Sequence, residues 1–163
     1  MEFVTDQLIA FGKAQIEAGA DVIAISDPSG TGEILGPKYF KEFAVTYLNK
    51  LLEGLQTVGL GTIVHICGHM GSVYNEINEV KSSVLSFDSV VPMKEARAHL
   101  KDRVLMGNVS TYTLEFGEPE RVALLTKNCV KNGSDIISPA CGLGMKSPIK
   151  NIQAILKCLS EEA

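Results

Sequence analysis

Five short, β-branched and almost wholly apolar runs punctuate the chain, at 21–26 (DVIAIS), 61–66 (GTIVHI), 84–88 (VLSFD), 103–107 (RVLMG) and 135–138 (DIIS). Each is too apolar to be a half-exposed strand, and strands buried on both faces belong to parallel sheets covered by crossover helices. Segments of helical period separate them and predict helices at 3–18, 37–58, 70–80, 92–100, 119–132 and 148–160. The clearest stripe is Phe40, Phe43, Ala44, Tyr47, Leu48, Leu51, Leu52 and Leu55, spaced at three- and four-residue steps. Pro37, Pro92, Pro119 and Pro148 suit helix first turns, and Gly19, Gly59 and Gly133 suit helix ends. A single domain over 1–163 with unbroken βα order is expected, either a closed barrel or an open parallel sheet.

Composition narrows the function classes. With 45% hydrophobic and 21% charged residues, the chain can bury a real core. A formal charge of −4, with Lys and Arg scattered, offers no basic stripe for nucleic acid or an anionic membrane. No apolar stretch approaches the ~20 residues that span a bilayer. Glu2 and Asp6 stand where a secretion signal would carry positive charge, so a cytoplasmic location is expected. In that compartment Cys67, Cys129, Cys141 and Cys158 are expected as thiols rather than disulfides.

Polar side chains collect where the strands end: Ser26 and Asp27, His65 and Cys67, Asp88, Asn108, and Cys141 in the following loop. His65 and Cys67 are two apart on an extended segment, so they share a face about 7 Å apart and can chelate one ion. Alone, H-x-C is a weak motif. Cys141, in the Gly-rich P-A-C-G-L-G after the fifth run, adds a third donor and completes a Cys₂His set that leaves zinc an open position. In an open sheet, strands three places apart stand about 14 Å from each other, whereas barrel strands converge on the axis. A shared metal therefore favours the barrel.

The segments G-T-I-V-H-I-C-G (61–68), D-I-I-S-P-A-C-G-L-G (135–144) and S-P-I-K-N-I-Q-A-I (147–155) resemble the uroporphyrinogen decarboxylase superfamily, above all its methylcobamide:coenzyme M methyltransferase branch. A-D-V-I-A-I-S-D-P (20–28) and V-L-M-G-N-V (104–109) extend the likeness over nearly the whole chain. The resemblance implies the C-terminal five or so βα units of a TIM-type (β/α)8 barrel, with His65, Cys67 and Cys141 as zinc ligands. It also implies a methylcorrinoid donor on a corrinoid protein and a small thiol acceptor such as coenzyme M. Since such a barrel needs eight strands and ~200 or more residues, roughly three strands are unaccounted for, and a second chain completing the barrel is one expectation; an inactive fragment is another.

Rival readings are weighed residue by residue. The decarboxylase branch usually places a His where Cys141 stands, and a porphyrinogen's carboxylates call for an Arg-rich cleft; Arg97, Arg103 and Arg121 are the three arginines here. His69 could replace Cys141 in a local H-x-C-x-H site. A structural zinc would show C-x-x-C pairs, which are absent, and a corrinoid-binding D-x-H-x-x-G fails because residue 63 is Ile. Cys129 and Cys158 share helical faces with apolar residues and read as core. Asp27, Asp88 and Asn108 are substrate-side candidates, with loop capping as the plainer alternative.

Overall fold

The computed structural model describes residues 1–55 and 61–160. Four strands, β1 (Val22–Asp27), β2 (Gly61–Ile66), β3 (Val84–Phe87) and β4 (Val104–Met106), follow one another in sheet order β1-β2-β3-β4. The chain divides into two compact units, Met1–Leu85 and Ser86–Ala163.

In the first unit α1 (Glu2–Glu17) leads into β1, which pairs in parallel with β2 from Val22↔Gly61 to Asp27↔Ile66. The helix expected from Pro37 is compound. A short α2 (Gly32–Tyr39) starts earlier, where the Thr31 hydroxyl accepts from the Ile34 N–H. Gly36 (φ 61°, ψ 171°) breaks it, so Pro37 opens the continuous run as its fixed φ favours. A π-helical segment, Phe40–Val45, then hands over to α3 (Thr46–Leu55). Leu48, Leu51, Leu52 and Leu55 of α3 are all buried, each contributing about 2 kcal/mol of apolar burial. Leu51 and Leu55 meet Ile23, with Ile9, Ile16 and Ala20 packed around them. The expected end of this helix, at 56–58 and Gly59, lies outside the described residues.

Residues 70–80 depart from expectation: only α4 (Tyr74–Ile77) is helical. Met70, Val73, Ile77 and Val80 are buried at helical spacing, which is why the segment reads as a helix. Its start is held elsewhere. Gly32 N–H donates to the His69 carbonyl (3.1 Å) and the Ser72 hydroxyl to the Gly32 carbonyl (3.2 Å), fixing 69–72 as a turn. A Cβ on Gly32 would lie 2.9 Å from the His69 carbonyl oxygen, so only glycine permits this approach.

The second unit carries α5 (Met93–His99), β4, α6 (Thr111–Phe116), α7 (Pro119–Lys131) and α8 (Ile149–Ser160). The six-residue α6 is not expected from the sequence; its sign is Ser110, whose hydroxyl accepts from the Thr113 N–H. The expected fifth strand, 135–138, is instead an extended segment with two isolated parallel bridges, Met106↔Ile136 and Val109↔Pro139. The Val109↔Pro139 bridge is made by the Val109 N–H to the Ser138 carbonyl and the Ala140 N–H to the Val109 carbonyl, so it needs no N–H from Pro139. Val109, Leu114, Val122, Cys129 and Ile155 form the local core.

Asn151 is fully buried at the start of α8 and donates its amide to the Leu114 (3.0 Å) and Gly117 (2.9 Å) carbonyls. Asn151→Ala strands both acceptors, and a stability loss of about 2–3 kcal/mol in urea unfolding is expected. An unchanged midpoint would show that water replaces the amide.

Candidate metal centre

His65 sits in β2 opposite Ser26 of β1, and Cys67 follows one residue beyond the strand end. Their two-residue spacing turns both side chains to one face, and Cys67 Sγ lies 3.4 Å from His65 Nε2. Both are half-buried, in a position to shed water without losing access.

The backbone turns immediately after Cys67. Gly68 has φ +76°, and a Cβ there would stand 2.8 Å from a Glu33 carboxylate oxygen and 2.9 Å from the Thr31 methyl. Gly68→Ala therefore combines left-handed strain with a clash. A stability loss of about 1–3 kcal/mol and weaker metal retention are expected, read by thermal unfolding with and without zinc. Equal behaviour to wild type would show that the turn does not hold the pair.

His69, the alternative ligand, is exposed and its Nε2 faces Glu33 at 3.9 Å. Glu33 is the residue that the sequence does not signal: it lies 32 positions upstream of Cys67's neighbour His65, and only the close approach at Gly32 brings it beside Gly68.

Cys141, in the second unit, is exposed in the segment after Ala140, whose N–H bonds to the Val109 carbonyl at 2.8 Å. Glu115 of α6 packs directly over Gly144, where any side chain would collide with its carboxylate. Cys129 and Cys158 are buried and in no disulfide. Burial pushes the Cys129 thiol up, more than the Asn108 N–H pulls it down.

The three substrate-side candidates all close loops. Asp27 Oδ1 accepts from the Ser29 (3.2 Å) and Gly30 (2.8 Å) N–H groups. Asp88 Oδ1 accepts from the Ser89 hydroxyl and the Val90 N–H, both at 3.2 Å. Asn108 donates its amide to the Asp88 and Val91 carbonyls, both at 2.8 Å, so it holds the very turn that Asp88 begins.

The sequence profile of the family described as uroporphyrinogen decarboxylase (URO-D) matches residues 1–162. The chain belongs to the URO-D family. Within it, the chain is 30% identical to the methylcobamide:CoM methyltransferase MtbA of Methanosarcina acetivorans, over 97% of its own length and 47% of the relative's. Identity to MtaA, the methylcobamide:CoM methyltransferase of Methanosarcina barkeri, is also 30%, over 99% of the chain and 48% of the relative. A solved methyltransferase from Methanosarcina mazei superposes with a TM-score of 0.89 at 28% identity, covering 97% of this chain and 47% of that one. The URO-D chain thus has the parallel β/α architecture of a TIM-type barrel, matches the C-terminal part of these relatives, and spans about half their length. Among its described residues no helix is long and apolar enough to cross a membrane.

Proposed function

We propose that this URO-D family chain is part of a zinc-dependent methyltransferase that moves a methyl group from a methylated corrinoid, carried by a partner protein, to a small thiol such as coenzyme M. His65, Cys67 and Cys141 are its zinc ligands, and the cytoplasm is its place of action. The observation that carries the reading is the 3.4 Å between His65 Nε2 and Cys67 Sγ. Zinc bonds of about 2.0 Å to nitrogen and 2.3 Å to sulfur, at a tetrahedral angle, put two such donors about 3.5 Å apart. The pair already stands at chelating separation.

The donor chemistry supports the same metal. His65, Cys67 and Cys141 offer one imidazole and two thiols. A Cys₂His set leaves zinc an open position, where the ion would supply an incoming thiol as its thiolate at neutral pH. The relatives whose names specify methylcobamide and CoM support the donor and acceptor classes.

The chain's own part is to bind and orient. Half-burial of His65 and Cys67 keeps water from crowding the reacting sulfur, and the Gly68 turn fixes their shared face. Asp27 and Asp88 each use Oδ1 for a loop turn, and we assign their second carboxylate oxygens, with Asn108 as the brace of the Asp88 turn, to the substrate side. In the transfer the thiol sulfur gives the electron pair of the new S–C bond. The former cobalt–carbon pair stays on the corrinoid, and the thiol proton leaves to solvent.

Elemental analysis of purified, tag-free protein under reducing conditions, with its mass in solution, tests the reading. About one zinc per chain is expected. A metal-free protein would remove the three-ligand site.

A further inference from the structure

The first turn of α2 is clasped to the turn that follows the His65–Cys67 pair. Gly32 N–H donates to the His69 carbonyl at 3.1 Å, and the Ser72 hydroxyl donates to the Gly32 carbonyl at 3.2 Å. Glu33 is carried on this clasp. Its Oε1 stands 2.8 Å from where Gly68 would bear a Cβ, so the carboxylate lies over the residue next to Cys67. All of these groups belong to the unit Met1–Leu85. Helix capping does not account for Glu33, because the α2 cap is filled by Thr31, whose hydroxyl accepts from the Ile34 N–H at 3.2 Å. An ion pair does not account for it either. Among the described residues its partner is the His69 ring, whose Nε2 is 3.9 Å away, outside hydrogen-bond reach, with both side chains half or more exposed. Glu33 therefore keeps open acceptor sites on a backbone fixed from both flanks, beside the candidate ligands and in touch with solvent.

The proposed transfer has a proton to place at this point. A neutral thiol must lose its S–H proton to be held at a metal as the thiolate. The half-burial of His65 and Cys67 thins the water that could take it. An ordinary carboxylate is a much weaker base than a free thiolate, so it cannot ionise the thiol in advance and takes the proton only as the metal bond forms. We propose that Glu33 is a catalytic residue of the transfer, the acceptor of the thiol proton. The S–H bond breaks with its electron pair left on sulfur, an O–H bond forms at the Glu33 carboxylate, and the half-exposed carboxyl then passes the proton to bulk water. The inference rests on the methyltransferase reading and its metal centre, and gives the departing proton its first stop.

The test follows thiolate formation itself, without methyl transfer. The full 163-residue chain is loaded with cobalt(II), which unlike spectroscopically silent zinc reports a bound thiolate by a charge-transfer band, and is mixed with coenzyme M in a stopped-flow spectrometer. Glu33→Gln, nearly identical in shape, should slow the appearance of the band roughly 100-fold near neutral pH, while its final height and the metal content match wild type. The loss should shrink as pH rises toward the thiol's own ionisation, because a thiol that arrives as thiolate needs no acceptor. A small carboxylate buffer should speed the Glu33→Gln chain and not the wild type, and Glu33→Asp should recover part of the rate. His69 is the titratable group that faces Glu33, so His69→Gln is the control. An unchanged rate in Glu33→Gln overturns the inference. So does a loss that is the same at every pH, which marks a structural role, and so does an equal loss in His69→Gln, which makes the imidazole the acceptor. Metal content separates the two proposals: normal uptake with an unchanged rate sinks the role of Glu33 and keeps the metal centre, whereas a wild-type chain that takes up no metal overturns both.

Discussion

Cys67→Ala is expected to lower zinc affinity by more than 100-fold, with Cys141→Ala close behind. Removing a residue that only hydrogen-bonds a ligand costs about 10–100-fold in metal affinity, so loss of a ligand itself should exceed that range. Of the two, Cys67 should matter more because its sulfur already stands 3.4 Å from His65 Nε2 and the pair forms a chelate before any third donor arrives. The proton count gives a second readout. Each cysteine that binds zinc releases its proton, so affinity rises with pH, and either variant should release one proton fewer than the wild-type chain. Competition with a chromophoric chelator across a pH series measures both quantities. A Cys141→Ala protein with full zinc affinity and unchanged proton release would remove Cys141 from the site and return attention to His69.

How far the chain could be read in advance depended on whether a signal was local. The runs DVIAIS and GTIVHI become β1 and β2 with ends within a residue of expectation, because a continuous apolar β-branched run has little other use. The α7 boundaries follow from Pro119 and from Gly133, whose φ of +97° suits glycine. Residues 70–80 mislead for a non-local reason: the burial spacing is helical, yet bonds from Gly32 and Ser72 fix 69–72 as a turn. The segment 135–138 misleads because a local apolar run does not show that it will meet its neighbour only at the isolated bridges Met106↔Ile136 and Val109↔Pro139.

The candidate site shows the same division. The His65–Cys67 spacing is visible in the three letters H-I-C, and strand geometry alone puts both on one face. Glu33 was not visible, since its place beside Gly68 depends on a glycine contact between distant segments. Asp27 and Asp88 were legible as strand-end acids, and their N–H partners two and three residues ahead follow from the local turn chemistry of aspartate. Asn108 differs: its amide spans to Asp88 and Val91, 20 and 17 residues earlier, a brace that no local pattern announces.

Arg97 carries the second large effect. Its side chain is only 26% exposed. The guanidinium donates to the carbonyls of Leu100 (3.3 Å), Lys101 (3.2 Å) and Arg103 (2.8 Å) through Nη1, and to Gly133 through Nε (3.0 Å) and Nη2 (2.7 Å). Nη2 also pairs with the Asp135 carboxylate, which in turn accepts from the Leu105 N–H at 2.8 Å. Arg97→Met keeps the apolar stem and strands four carbonyls and a carboxylate, so a loss of about 3–5 kcal/mol is expected, roughly 10 °C in melting temperature. Arg97→Lys should recover little, because one ammonium cannot reproduce the planar fork. Acidification separates the charge from the packing. Burial pushes the Asp135 carboxyl up, but the Leu105 N–H and the Arg97 guanidinium outweigh it and hold the group below its ordinary 3.8. That stabilisation is present above the unfolded-state value and is lost as pH falls through the lower folded one. The wild-type chain should therefore lose more stability than Arg97→Met on passing below pH 3.8, and the gap between them should narrow. Parallel acid profiles would show that the ion pair adds nothing beyond the carbonyl contacts.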